Sequence, residues 1–397
     1  MSTHVWLGVD IGKTTHYALA VDGLTGAVIH QTSVSNAEAG LEQLVGWARE
    51  HQAAVIVDQA NGPAALLLGL CWQAAVRIGY LHGQAMARAR GFYAGQSKTD
   101  PKDAFVLADV ARAHPQRIVW LEPTPEARAQ LELLCGYDAD LRADANRLTN
   151  RLRGLLGSYW PSLERALGER LDSPGVLALL QVYPTGAAIH DAGVDQVTAV
   201  LKSHKVPRAR AVAQRIATAA AAQTIVLTGS GTAGALITEL AAQLAHVVAR
   251  RASLEDQIEQ AFFALPEAAV LLSLPGVGPR LGALIALEIG TIRRFGSPAQ
   301  LAAYAGLGPT PRLSGTSRTA RVTNQGGNHR LKNALFLAAF CSLRHPASRA
   351  YYDRKRTQGR HHNQAVLCLA RRRVDVLYAM LTHGSLYSPP PLTGAAA

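Results

Sequence analysis

Four carboxylates in the first part of the chain, Asp10, Asp58, Asp100 and Asp103, sit where acids can do chemistry. Asp10 lies near the end of the apolar run HVWLGVDI, and Asp58 closes AAVIVD, so each ends a short β-patterned segment. Asp100 and Asp103 fall in SKTDPKDA, where Pro101 marks a helix start, and a spacing of three lets both face one side of its first turn. Carboxylates gathered together repel one another unless cations neutralise them. Hard, oxygen-ligated Mg2+ or Mn2+ is the natural occupant, and phosphate chemistry its usual purpose. Taken singly, Asp100 is also an ordinary helix N-cap and Asp103 a favourable first-turn charge, so the metal reading belongs to the set. A second kind of chemistry is offered by Ser314 in PRLSG, with Arg312, Arg318, Arg321 and Arg330 around it in sequence. Such a hydroxyl could attack a phosphodiester while the arginines stabilise the developing charge, although loop serines are common turn formers.

Positioning these residues requires particular elements. Residues 4–11, 15–22 and 27–34 read as three sequential strands, 37–51 as a helix, 53–57 as a strand, a helix opening at Pro63, and 77–81 as a last strand. This order predicts a mixed α/β sheet of the ribonuclease H-like type, with the first and fourth strands adjacent and the four carboxylates brought together. The string GVDIGKTT invites a nucleotide-binding reading, but Gly8 and Gly12 have three residues between them where a Walker A loop has four before its GK. It resembles the first phosphate loop of actin-like ATPases and sugar kinases, which makes a nucleotide-hydrolysing enzyme the alternative function.

Two heptad stretches follow. Leu131, Leu134, Leu141, Ala145, Leu148, Leu152 and Leu155 occupy a and d positions with Asp138 as the polar exception; Ile237, Leu240, Leu244, Val247, Leu254 and Ile258 do so with Arg251 as theirs. The spacing predicts coiled-coil packing, either between these helices or between subunits, and the polar a positions favour a dimer interface. Residues 171–228 read as small Ala-rich helices, and GSGTAG at 229–234 as a linker. LPGVG at 274–278, followed by an apolar helix over 281–289, has the layout of a helix-hairpin-helix, with the backbone around Gly276 and Gly278 suited to a DNA phosphate. The expected division is 1–123, an α/β domain; 124–265, helical coiled coil; 266–383, a mainly helical domain bearing Ser314; and 384–397, a disordered tail.

Charge is unevenly placed. The formal net charge is +12. Residues 1–120 carry nine basic and nine acidic side chains, 121–311 seventeen of each, and 312–373 fourteen basic against Asp353 alone. That concentration is the footprint expected for a phosphate backbone, which makes nucleic acid the expected partner. His361 and His362 beside Arg360 read as part of this basic face. Charged residues at 17% and hydrophobic ones at 48% describe a folded chain, with no apolar run of transmembrane length and no secretory signal at the start. Cys71, Cys135, Cys341 and Cys368 lie far apart, against a disulfide framework or zinc site. A cytoplasmic protein, nucleoid-associated when bound to DNA, is expected.

GVDIGK at the start, KTDPKDA at 98–104, and LPGVGP…FGSPAQLAAYAGLGPTPRLSG…NQGGNHRLKNAL together resemble the DEDD-type insertion-sequence transposases, the "one-ten" family of bridge-RNA-guided serine recombinases of bacteria. The resemblance implies a RuvC-like domain whose metal-binding DEDD carboxylates are Asp10, Asp58, Asp100 and Asp103, and a transposase domain whose nucleophile is Ser314. It implies Mg2+ or Mn2+ polarising the scissile phosphate, a covalent phosphoserine, and rejoining by a free hydroxyl without ATP. The implied partners are donor and target double-stranded DNA and a structured guide RNA. Dimers pairing into tetramers would make the active site composite. Gly276, Gly278, Arg312, Arg318, Arg321, Arg330 and Lys332 would hold nucleic acid. Two departures stand out: Asp58 replaces the family's usual glutamate, and Leu331–Lys332 replaces Leu-Arg, keeping charge but losing bidentate phosphate geometry. A RuvC-like nuclease without a covalent step is the nearest variant reading.

Overall fold

A continuous apolar run and two more mixed segments give the chain three antiparallel strands in succession, β1 (Val5–Asp10), β2 (Thr15–Asp22) and β3 (Val28–Ser35). Gly12 permits the first reversal, since a Cβ there would lie 2.1 Å from the Thr15 carbonyl oxygen. Then come α1 (Glu38–Glu50), β4 (Ala53–Val57), α2 (Ala65–Gln73), β5 (Ile78–Tyr80), α3 (Gly83–Arg90), α4 (Asp100–Ala113) and β6 (Val119–Trp120). The computed structural model describes residues 4–93, 99–311, 321–323 and 326–389. It forms two compact units, Met1–Pro125 and Glu126–Ala397.

In the first unit the strand order is β3-β2-β1-β4-β5-β6, with β4 parallel to β1 and to β5 and β6 antiparallel at the edge. This is the ribonuclease H-like order the sequence predicts; α3 and the two-residue β6 are additions to it. Leu7, Val9, Val55 and Val57 face one layer with Leu41, Leu44 and Leu67 of α1 and α2. Trp6, Leu19 and Ile56 face the other with Val106, Leu107 and Ala111 of α4. The period of two fixes which strand residues meet α4. Gly8 is one of them: a Cβ there would lie 2.0 Å from the Ala104 carbonyl oxygen, so α4 lies directly on β1 at this point.

The second unit is mostly helical. Its stem is a pair of 34-residue helices, α5 (Glu126–Tyr159) and α10 (Ser230–Phe263), each about 50 Å long at 1.5 Å per residue. Between them run α6 (Pro161–Leu167), α7 (Pro174–Val182), α8 (Gly186–Ser203) and α9 (Ala209–Ala221). After α10 come α11 (Ala268–Ser273), α12 (Pro279–Ile289), α13 (Pro298–Tyr304), the paired strands β7 (Pro309–Pro311) and β8 (Arg321–Thr323), α14 (His329–Cys341), α15 (Pro346–Thr357) and α16 (His362–His383). Leu152 and Leu156 of α5 share a core with Ile237, Ala241 and Leu244 of α10 and with α6 to α9. Leu131 and Leu141 share another with Leu254 and Ile258 and with the helices after α10. The stem is therefore antiparallel and carries a helical cluster at each end.

Four expectations change here. The heptad faces of α5 and α10 pack on each other within one chain, and their polar exceptions are partners: Arg251 Nε donates to Asp138 Oδ1 at 2.9 Å. The seam that favoured a dimer interface is thus filled internally. Residues 230–234 are the first turn of α10 rather than a linker, because Gly229 (φ +86°) caps the helix and Gly234 lets it approach Thr185, whose Cγ2 would lie 2.7 Å from an added Cβ. The tail is docked at its start: the Tyr387 backbone N–H donates to Ser273 Oγ at 2.9 Å, and its ring lies edge-on to His345. Residues 390–397 lie outside the described residues. α10 also contains an 18-residue window of mean hydropathy 1.3, long and apolar enough by composition to cross a membrane, contrary to the expectation of no such run. Its apolar face lies in the two cores of the stem, and no membrane is indicated.

Candidate active site

β1 and β4 pair in parallel with Val9 opposite Val57, so the next residues, Asp10 and Asp58, leave the sheet side by side. Asp10 occupies the register position after Gly8, on the face that α4 covers. The Ile11 N–H donates to Asp58 Oδ1 at 3.4 Å, and Gln59 Nε2 donates to the Ile11 carbonyl at 3.3 Å, which ties the two strand ends together. Burial raises the Asp58 pKa above the ordinary carboxylate value; the Ile11 N–H works against that, while the nearby Asp103 charge adds to it.

Asp103 and Asp100, expected on one side of a helical turn, part company. Thr99, not Asp100, is the N-cap of α4, and Asp100 in its first turn is exposed. Asp103 is only 1% exposed and is held by a fork: Arg90 Nε and Nη2 donate to Oδ1 and Oδ2, both at 2.6 Å. Arg90 is the last residue of α3, and nothing in the sequence singled it out. Among the described residues no group of three or more His, Cys, Asp or Glu side chains is gathered closely enough to hold an ion. The expected four-carboxylate cage is therefore not assembled. The donors are all hard oxygens, and the half-buried Asp58 has no ion pair among the described residues, a lack that a bound cation would relieve. Asp103 already has a cation, the Arg90 guanidinium. The glycines that suggested a nucleotide loop have packing roles instead, Gly8 beneath α4 and Gly12 at the β1–β2 reversal.

In the second unit, residues 304–306 and 326–328 lie back to back. A Cβ on Gly327 (φ +96°) would fall 2.7 Å from the Gly306 nitrogen, and the Asn328 N–H donates to the Tyr304 carbonyl at 2.7 Å. From this base rise β7 and β8, with Pro311 paired to Arg321. Arg312, Ser314 and Arg318 fall between these strands in sequence only and lie outside the described residues. Asn328 caps α14 through Oδ1, which accepts from the Leu331 N–H at 3.0 Å, and donates through Nδ2 to Glu288 Oε2 at 2.7 Å and to the Tyr304 hydroxyl at 3.0 Å. Arg330 Nε pairs with Glu288 Oε1 at 2.9 Å. Glu288, overlooked in the sequence, had a signal: it is the sole carboxylate between residues 268 and 352.

The LPGVG turn joins α11 to α12 as expected, but its two glycines differ. Gly276 (φ +83°) is pressed against α14, where an added Cβ would lie 2.4 Å from the Ala338 carbonyl oxygen. Gly278 is exposed at the N-cap of α12, with open space beside it.

Two family models match the chain, one described as a DEDD transposase over residues 7–161 and one as "Transposase IS116/IS110/IS902 family" over residues 268–353. A protein of insertion element IS110 from Streptomyces coelicolor is 42% identical, over 96% of this chain and 95% of its own. One of insertion element IS116 from Streptomyces clavuligerus is 38% identical, over 99% and 98%. One of insertion element IS900 from Mycobacterium paratuberculosis is 36% identical, over 100% of both. Among solved structures, Thermus thermophilus RuvC with a Holliday junction substrate aligns with 30% of this chain and 99% of its own at 17% identity and a TM-score of 0.22. The ribonuclease H-like assignment rests on the strand order itself.

Proposed function

Because the chain belongs to the insertion-sequence transposases of the IS116/IS110/IS902 family, and so to enzymes that cleave and rejoin DNA, we propose that it does so with a metal-assisted acid site and a serine nucleophile. One observation carries the acid half: the parallel pairing of β1 and β4 that delivers Asp10 and Asp58 together beneath the helix bearing Asp103. Asp10, Asp58, Asp100 and Asp103 would hold Mg2+ or Mn2+, which when bound supplies Lewis-acid stabilisation of charge on a phosphate. For Asp103 to serve, Arg90 must let go of it. Released, that guanidinium is free to meet the phosphate oxygens of an arriving strand.

The Ser314 hydroxyl attacks a DNA phosphorus in this reading. An oxygen–phosphorus bond to serine forms, the bond to one DNA oxygen breaks, and the proton lost by serine is matched by the one gained at the departing hydroxyl. The phosphoserine conserves the ester while strands exchange, and a DNA hydroxyl reverses the step, so no ATP is consumed. Gly278, Arg312, Arg318, Arg321 and Lys332 contact nucleic-acid backbone. Gly276 and Arg330 position them instead, the first by seating the turn on α14 and the second by fixing Glu288 and the start of α14. Partners in this reading are donor and target duplex, a structured guide RNA from the element, and further copies of the chain, dimer to tetramer, bringing Ser314 of one to the carboxylates of another.

A trapping assay tests it. Protein, Mg2+, the element's non-coding RNA and labelled junction DNA are resolved on a denaturing gel beside Ser314→Ala and Asp10→Ala. A covalent protein–DNA band that is absent from Ser314→Ala is the expected result. Cutting without an adduct, retained in Ser314→Ala and lost in Asp10→Ala, would instead make the chain a RuvC-like nuclease.

A further inference from the structure

The helical pair α15 and α16 holds an accumulation of positive charge that the fold does not neutralise. Arg349 is paired with Asp353 at 2.9 Å and Arg371 with Asp375 at 2.6 Å, which uses both acids of the pair. Among the described residues, Arg354, Lys355, Arg356, Arg360 and Arg372 have no carboxylate partner. Three of these converge on one ring: Arg354, Lys355 and Arg372 lie 5.2, 5.7 and 4.9 Å from the centroid of Tyr351. Attraction to a ring face is about 0.5–1 kcal/mol per cation at exposed sites, a weak recompense for holding three like charges around one side chain.

The same place contains a buried cation and a space beside it. A cavity of about 290 Å3 is lined by Leu274, Ser348, Tyr351, Arg372, Arg373 and Tyr387, among others. Arg373 is only 7% exposed and pairs with no carboxylate among the described residues; its guanidinium donates to the Pro275 carbonyl in the LPGVG turn. Burial without a counter-anion lowers its pKa to about 10. Buried charge of this kind is costly unless an anion completes it. An anion in the cavity would have Arg372, Arg373 and Ser348 in its lining, with Arg354 and Lys355 on the same Tyr351 ring. Residues 354–373 also lie beyond both segments matched by the family models.

We infer that the cleft between α15 and α16, formed by Tyr351, Arg354, Lys355, Arg372 and Arg373, is a phosphate-binding site that anchors the backbone of double-stranded DNA independently of its sequence. The inference rests on the transposase reading for the identity of the duplex. The three cationic heads gathered over Tyr351 are held at one place, so less freedom is lost on binding than by unattached side chains. The buried Arg373 links this anchor to the LPGVG turn, and through it to Gly278. The cleft and the N-terminus of α12 would then grip successive stretches of one backbone.

The test is binding of the full-length protein to a labelled duplex unrelated to any junction, followed by fluorescence anisotropy across a salt series. The triple variant Arg354→Ala/Lys355→Ala/Arg372→Ala is expected to bind at least about tenfold more weakly at low salt. Its log–log salt slope should be shallower by about 0.9 for each phosphate that is no longer neutralised, and the all-lysine version of the two arginines should restore most of that slope. Should the triple variant melt early, the exposed Arg354→Gln substitution carries the same test, with a slope change worth about one phosphate. Unchanged affinity and slope would overturn the inference while leaving the Ser314 and Asp10 chemistry untouched. A loss confined to an RNA hairpin of equal length would overturn the assignment to DNA. Wild-type protein that binds no duplex at all would overturn this inference outright.

Discussion

Arg90 is the counter-charge that makes a buried Asp103 tolerable in the absence of metal. Removing one member of a buried pair strands the other, at about 3–5 kcal/mol, and at the lower end here because the Arg90 side chain is about a third exposed. Arg90→Ala should therefore melt earlier in chelator, yet gain more from Mn2+ than the wild type does, because Asp103 is then free to ligate. Differential scanning fluorimetry across a Mn2+ titration reads both effects, with Asp103→Asn as the variant that gains least. Equal gains in Arg90→Ala and wild type would show that guanidinium and ion do not compete. Asp58 has the opposite sign. Its folded pKa lies above the unfolded value because burial disfavours the charge, so its contribution to stability is lost as pH rises through the window above 3.8. Asp58→Asn should thus raise apo stability at neutral pH, flatten that pH dependence, and abolish cleavage. A stabilising substitution that destroys activity is the signature of an acid kept for function. Asp10, Asp58 and Asp103 were legible in the sequence because strand ends and a proline-marked helix start are local signals. Arg90 was not, because its role exists only once α3 is folded beside α4.

At the scale of elements, the polar residues at a positions of α5 and α10 do the work of register inside one chain. Asp138 accepts from Arg251 and also from Arg280 Nη2 at 3.0 Å, joining the stem to the start of α12. Replacing only Asp138 by leucine should cost about 3 kcal/mol in a urea melt, since Arg251 is left partly buried and unpaired. The double variant Asp138→Leu/Arg251→Met should recover most of that loss, and light scattering should give the mass of the wild type. A change in mass would place the seam between copies instead. Heptad spacing made both helices visible in the sequence, but one period serves equally for a partner in the same chain or in another. The difference is set by the connection through α6 to α9, which brings α10 back along α5. GSGTAG misled for a related reason: glycine and serine mark linkers when solvated and close helix contacts when packed, and only the neighbouring Thr185 distinguishes the two.

For the whole molecule, the division into two units separates the candidate acid site from the basic surface. Residues 1–120 balance nine basic with nine acidic side chains and contain all four candidate metal ligands, whereas 312–373 hold fourteen basic residues and one acid. Each unit has cores of its own. A ligand that binds only the folded form of one unit stabilises it by mass action, by about 2.7 kcal/mol at one hundred times its dissociation constant. Calorimetry of the full chain should accordingly show two transitions that different ligands move separately. Mn2+ should shift the one belonging to the α/β unit, and a short duplex DNA should shift the one belonging to the helical unit, the latter fading as salt rises. Asp58→Asn assigns the first transition, because it should abolish the Mn2+ shift alone, and the Arg354→Ala/Lys355→Ala/Arg372→Ala variant assigns the second. Should Mn2+ and duplex move a single transition together, the acid site and the basic surface are already coupled in the free protein. DNA binding on one unit would then change metal loading on the other before any strand is cut.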